Sequence, residues 1–289
     1  MKSRIIVLII SIIIAILVLV IGLFGLSSAD NDTQKKTSSG EIENLTDDSN
    51  TEIGMTNESE ETKNTEEENK EDTIAVDGNV NTTREIDPNK PMVALTFDDG
   101  PSRENTEKIL EALKKYNAHA TFFVVGYNMD GNEDIIKKIA EQGSEVANHT
   151  ASHKDLATLG VDEINYEVNS VADKIKSLTG QESVVIRPPY GSTNDLVMST
   201  LTEPIILWSI DTEDWKTRDS EATLAHVKET IFDGAIILMH DLHVETAEAT
   251  VKLVEWLNSQ GYQMVTVSEM GYYRRGELQT GVRYGSLQP

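Results

Sequence analysis

Seven short runs, apolar almost from end to end, recur between residues 92 and 267: "MVALTF" (92–97), "ATFFVV" (120–125), "SEVANH" (144–149), "VVIR" (184–187), "PIILWS" (204–209), "AIILMH" (235–240) and "QMVTV" (263–267). Continuous apolarity, rather than alternation, is what strands need when both faces of a sheet are covered. Between the runs lie stretches with helical spacing. "ENTEKILEALKKY" sets Ile109, Leu110 and Leu113 on one side, and Ile164, Val168, Val171, Ile175 and Leu178 recur at three and four residues in the stretch from 161 to 178. Such spacing lines one helix face. "DSEATLAHVKETIF" opens on an Asp or Ser cap and "TAEATVKLVEWL" follows the sixth run. Gly143, Gly180 and Gly261 stand where helices would end in a left-handed residue. Strands alternating with helices imply right-handed crossovers and a parallel sheet, hence an α/β fold. The sheet is either open and doubly wound or closed. An eight-unit barrel takes about 250 residues; this chain leaves fewer, so a distorted (β/α)7 barrel of parallel strands fits better.

In either architecture functional groups collect at the carboxyl ends of the strands. Five of the seven run ends carry polar clusters: "TFDDGPS" (96–102), "NHTASH" (148–153), "RPPYG" (187–191), "SIDTEDW" (209–215) and "LMHD" (238–241). The run starts carry none, and this one-sidedness marks a catalytic pole. His149 and His153, two of only six histidines, are candidate ligands of a divalent cation, since imidazole suits zinc and its neighbours. The pair alone is a weak signal; it gains weight by facing Asp98 and Asp99. Burying two adjacent carboxylates without a cation is costly. One of them completes a three-ligand site with an open position, leaving the other as a base toward water. Arg187, stiffened by Pro188 and Pro189, suits the task of orienting that base. His240 emerges straight from an apolar run and is a candidate general acid, which a carboxylate such as Asp211 or Asp214 would keep protonated. Trp215 and Leu238 are candidates for an apolar slot. His119 falls in a turn, His226 on a helix face, and His243 near the mouth of the site.

The flanks differ in texture. Residues 5–26 are apolar except for Ser11, Gly22 and Gly25, and follow Lys2 and Arg4. That length crosses a bilayer as a helix, and the leading positive charge sends the rest of the chain outward. The rival is a cleaved leader, for which Ser27, Ser28 and Ala29 supply a small-residue site. The run exceeds the core of about 7–15 residues usual in such leaders, which favours an uncleaved, single-pass anchor. Residues 30–85 carry 17 acidic and 5 basic side chains and no aromatic, too little apolar surface to offset ordering. They read as a disordered spacer, extended by self-repulsion. The segments expected are therefore 1–29 (anchor or leader), 30–87 (acidic linker), 88–275 (catalytic domain) and 276–289 (a tail without clear periodicity). A net charge of −24 argues against nucleic acid as a partner. The lack of cysteine excludes disulfides and thiolate metal sites.

Taken in order, the clusters "TFDDG", "HTASH", "RPPYG", "DTEDW" and "LMH" resemble the five motifs of the polysaccharide deacetylases of the NodB-homology type, carbohydrate esterase family 4. The resemblance covers roughly residues 90–270 and departs from no core motif. It implies a distorted (β/α)7 barrel and metal-dependent removal of N-acetyl groups from a glycan, a hydrolysis of C–N bonds other than peptide bonds. It orders the acid pair, with Asp98 as base and Asp99 as metal ligand beside His149 and His153. Arg187 steadies Asp98, the backbone N–H of Tyr190 helps hold the oxyanion, Asp214 tunes His240 as the acid, and Trp215 and Leu238 border the acetyl methyl. The cation expected is Zn2+, with Co2+, Ni2+ or Mn2+ also suited to the donor set.

An exported, tethered enzyme suits the cell's own wall, so the expected substrate is the N-acetylglucosamine of peptidoglycan. Chitin oligomers and acetylated xylan are the nearest alternatives. Two other classes stand further off. Two histidines and a carboxylate also form the triad of non-heme iron oxygenases, but the accompanying Asp–Arg and His–Asp pairs argue against oxygen chemistry. A glycan-binding module without catalysis would leave the glycan unchanged. The sequence names no protein partner.

Overall fold

The computed structural model describes residues 84–289. The apolar run at 5–26 and the acidic stretch up to residue 83 lie outside the described residues. Among the described residues, no helix is long and apolar enough to cross a membrane. In chain order the elements are β1 (Met92–Asp98), α1 (Arg103–Lys115), β2 (Thr121–Val124), α2 (Gly126–Met129), α3 (Glu133–Glu141), β3 (Glu145–Asn148), α4 (Val161–Thr179) and α5 (Asp195–Thr200). There follow β4 (Ile205–Ile206), β5 (Ile210–Asp211), α6 (Asp214–Thr217), α7 (Ser220–Thr230), β6 (Ala235–His240), α8 (Val244–Ser259), β7 (Gln263–Met264), α9 (Val267–Arg275) and β8 (Arg283–Tyr284).

The main sheet is parallel, in the order β3-β2-β1-β6-β5, with β7 paired to the start of β1. Within β1 the side chains alternate between two cores, as strand geometry requires. Val93, Leu95 and Phe97 pack with Ile109 and Leu113 of α1, Ile136 of α3 and Leu253 of α8. Met92 and Ala94 face the other way, with Ile206, Ile236, Val265 and Leu287. Both faces being buried explains the continuous apolarity of "MVALTF". The same alternation turns Thr96 and Asp98 inward at the carboxyl end. Gly143, Gly180 and Gly261 hold φ values of 81°, 73° and 82° at the ends of α3, α4 and α8, as their positions in sequence suggested.

One expectation changes. "VVIR" does not make a strand ladder; only Ile186 pairs, by single bridges to Asn148 and Ile205. Backbone bonds still join it to both neighbours: the Arg187 N–H donates to the Asn148 carbonyl at 3.0 Å, and the Ile206 N–H to the Ile186 carbonyl at 2.8 Å. The stretch 276–289, without clear periodicity in sequence, is fastened to the rest of the fold. β8 pairs with β4, Ser286 bridges to Ala235, and the Leu287 N–H donates to the Gly234 carbonyl at 2.8 Å. Among the described residues no ladder joins β4 to β5, and the tail lies in that gap, with Leu287 fully buried. A Cβ at Gly234 would overlap the Leu287 carbonyl, so glycine there admits the tail. The chain just after the masked part is also fastened. Arg84 pairs with Glu269 at 2.7 Å and donates to the carbonyls of Asn117 and Met264, and Ile86 is buried.

Truncating Leu287 leaves a void in the inner core. Leu287→Ala is expected to lower stability by about 2–5 kcal/mol, read from the midpoint of urea denaturation. A loss under about 0.5 kcal/mol would mean that the tail does not complete the core.

Candidate active site

The parallel register of β1 and β6 sets Asp98 opposite His240 and Thr96 opposite Leu238. Beyond Asp98 the backbone turns sharply, and Asp99 takes φ 72°, uncommon outside glycine. The turn is held from outside: the Asn128 side chain donates to the Asp99 carbonyl at 2.7 Å, and the Val125 N–H donates to that of Gly100 at 3.1 Å.

"NHTASH" is a loop, not a helix. His149 extends the β3 pairing by one bond, its N–H donating to Val124 O at 3.0 Å. The chain then folds back through Thr150 (φ 70°) and His153 (φ 57°). Asn148 Oδ1 accepts the Thr150 N–H at 2.8 Å, and Thr150 Oγ1 accepts that of His153 at 3.1 Å. The buried Glu167 of α4 receives the Ser152 N–H at 2.7 Å and docks the loop.

These turns bring Asp99, His149 and His153 together, with one ligand atom of each within 4.8 Å of the others. Asp99 Oδ1 lies 3.4 Å from His149 Nε2 and 3.1 Å from His153 Nε2. It is buried and has no hydrogen-bond partner, the condition of an oxygen shaped for a cation rather than for a donor. Burial raises the Asp99 pKa, but the two imidazoles of His149 and His153 beside it outweigh that and hold the carboxyl well below its ordinary range. His149 Nδ1 donates to the Arg187 carbonyl at 2.6 Å, which directs Nε2 at the site. Two imidazole nitrogens and one carboxylate oxygen, so oriented, fit a divalent cation.

Arg187 is wholly buried. Its Nη1 donates to Asp98 Oδ1 at 2.6 Å and Thr96 Oγ1 at 2.8 Å; Nε and Nη2 reach the carbonyls of Ile206 and Leu207 at 3.2 and 3.0 Å. The second oxygen of Asp98 faces His149 Nε2 at 3.6 Å. On the other flank, Asp214 Oδ1 accepts from His240 Nδ1 at 2.9 Å, and Oδ2 accepts the His240 N–H at 2.7 Å and the Thr246 hydroxyl at 2.6 Å. Burial lowers the His240 pKa, yet the bond and charge of Asp214 prevail and push it up to about 9. Of the two carboxylates that suited this role, Asp211 instead caps its own turn by accepting the Glu213 N–H at 2.9 Å.

The remaining candidates lie around this cluster. The ring of Tyr190 meets that of His153 edge-on at 4.9 Å, and Tyr190 sits at φ 61°. Trp215 is half-exposed on the turn that begins with Asp214, and Leu238 is buried two residues before His240 on the same strand face. His243 lies beside His240, with 6.4 Å between rings, and contacts Arg218. His119 belongs elsewhere: it is buried against Glu269. His226 is exposed on α7. Sequence reasoning passed over Thr96, Thr246, Asn128 and Glu167. Thr96 alone carried a signal, as a polar residue inside an apolar strand.

Known proteins resemble this chain in sequence and in fold. A family model described as polysaccharide deacetylase matches residues 85–203. The peptidoglycan-N-acetylmuramic acid deacetylase PdaC of Bacillus subtilis is 40% identical over 185 residues, which are 64% of this chain and 40% of PdaC. A solved structure of PdaC from Bacillus subtilis, 38% identical, superposes with a TM-score of 0.64, covering 66% of this chain and 95% of that one. A peptidoglycan-N-acetylglucosamine deacetylase of Bacillus cereus is 34% identical over 202 residues, 66% of this chain and 93% of the relative. A family 4 acetyl xylan esterase of Clostridium thermocellum, solved with a cobalt ion, is 31% identical with a TM-score of 0.65, covering 68% and 98%. The chain thus spans two fifths of PdaC but nearly all of the shorter relative.

Two measurements test the electrostatics. Arg187→Ala strips Asp98 of its buried counter-charge and should cost about 3–5 kcal/mol in chemical denaturation. The His240–Asp214 pair has its own pH signature. A folded pKa raised from 6.5 to about 9 stabilises fully below pH 6.5 and loses that contribution as pH rises through about 9. The stability gap between wild type and Asp214→Asn should therefore narrow between pH 6.5 and 10; a constant gap would exclude a charged His240.

Proposed function

The chain belongs to the polysaccharide deacetylase family, and from that premise we propose that it hydrolyses N-acetyl groups on a cell-wall glycan, the N-acetylglucosamine of peptidoglycan. The observation that carries this reading is the meeting of Asp99, His149 and His153 with the Asp98–Arg187 pair on one side and the His240–Asp214 pair on the other. One relative is named for N-acetylmuramic acid and another for N-acetylglucosamine, which supports peptidoglycan and makes the choice of sugar a matter for assay.

A divalent cation held by Asp99, His149 and His153, zinc in the first instance, would polarise an acetamide carbonyl and acidify a water. Asp98 takes the proton of the attacking water, while Arg187 holds its other oxygen and balances its charge. The backbone N–H of Tyr190 steadies the oxygen that becomes negative. His240, which the charge of Asp214 keeps protonated, gives its proton to the leaving nitrogen, releasing acetate and a free amine. Trp215 and Leu238 border the acetyl methyl. Resemblance to that family supports reading the sheet as a distorted (β/α)7 barrel, with the catalytic domain over 88–275 and the stretch 276–289 as its tail. The apolar run within 1–29 acts as a membrane anchor, and 30–87 as the spacer that holds the enzyme outside the cytoplasm. The hydropathy and charge of those segments support that placement.

Acetate release from peptidoglycan, chitin oligomers and acetyl-xylan by zinc-loaded protein ranks the substrates, and peptidoglycan should be hydrolysed fastest. Asp99→Asn should lose bound metal and activity together. Asp98→Asn should keep its metal, yet lose about 10²-fold to 10⁴-fold in kcat. Full turnover by Asp98→Asn would remove Asp98 from the role of base.

A further inference from the structure

Asp241 follows His240 and is used by nothing described so far. Its side chain is completely buried, and Oδ1 has no hydrogen-bond partner. An unpaired buried carboxyl oxygen is costly enough to ask what it does. Its surroundings lead back to β1. A Cβ at Gly100 would overlap both carboxyl oxygens, so Asp241 lies directly against the turn that follows Asp98 and Asp99. Oδ2 accepts the hydroxyl proton of Thr106, itself fully buried in α1. That same hydroxyl accepts the Ser102 N–H at 2.9 Å, and the Thr106 N–H donates to Ser102 O at 2.7 Å. One hydroxyl therefore links the far end of the turn to the strand end that carries His240. Asp99 at φ 72° will not hold its direction unaided.

We propose that Asp241 is a positioning residue: through Thr106 it locks the turn at 98–102 to the end of β6, so that base, cation ligand and proton donor keep one mutual geometry. The proposal rests on the deacetylase reading only for what the turn carries; the clamp is testable without it.

Four proteins decide it: wild type, Asp241→Ala, Thr106→Val and Thr106→Ser. Hydrogen exchange at the Ser102 amide, in metal-free protein, reads the clamp. The zinc dissociation constant, by chelator competition, reads its consequence. Asp241→Ala and Thr106→Val should speed exchange at Ser102 and weaken zinc binding by about tenfold to a hundredfold, as loss of supporting hydrogen bonds around a metal does. Thr106→Ser, which keeps the hydroxyl, should match wild type in both. Wild-type exchange and zinc affinity in Thr106→Val would overturn the proposal, as would a Thr106→Ser variant no better than Thr106→Val, since packing would then explain the effect. If Asp241→Ala fails to fold, the two Thr106 variants decide the matter. A wild-type protein that binds no zinc would defeat the deacetylase reading, while the exchange rates would still judge the clamp.

Discussion

The buried guanidinium of Arg187 is the constraint on which the site depends. It donates to Asp98 and Thr96 on β1 and to two carbonyls at the end of β4, while its own carbonyl receives His149 Nδ1. One residue thereby orients both the carboxylate that would act as base and an imidazole that would hold a cation. Its planar fork satisfies several acceptors at once, which a lysine could not do. The ring of Phe123, 4.2 Å from the guanidinium, covers a face that water would otherwise claim. Burying such a charge brings no general gain in stability. The chain keeps it at the carboxyl pole, where fixed direction matters more than stability.

The same pole concentrates unusual backbone. Asp99, Thr150, His153, Tyr190 and Glu213 all lie at positive φ, and all belong to strand-end loops. Each such residue costs of order 1 kcal/mol or more and persists only where its neighbours determine it. Those neighbours are identifiable: Asn128 for the turn after Asp99, Asn148 and Glu167 for the histidine loop, Asp211 for Glu213. The price is met by polar side chains that look unremarkable in sequence, and it aims charged groups that regular strands would point apart.

Periodicity exposed what was repeated. β1, β2, β3 and β6, the long helices and their glycine ends were all legible, because burial on both faces or on one helical stripe leaves a periodic trace. "VVIR" pairs with both neighbours but through Ile186 alone, and apolar content does not record how far a pairing extends. The tail was opaque because β8 is two residues long and its partner lies far upstream at β4. Asp211 and Asp214 were indistinguishable as partners of His240 for a similar reason: one turn separates them, and only its left-handed start at Glu213 sends Asp214 inward.

Residue type and order alone determined the α/β class, the one-sided clustering of polar groups and the identities of the two histidines, two aspartates, arginine and third histidine that meet there. These follow from composition and spacing, which are local properties. Tertiary structure decided which oxygen faces which nitrogen: that Asp99 Oδ1 is left without a donor between two imidazoles, that Arg187 reaches three strand ends, and that Asp241 backs the turn through Thr106. Those relations join residues up to 135 positions apart. They arise from strand register and from loops folding back at positive φ, which no local pattern records.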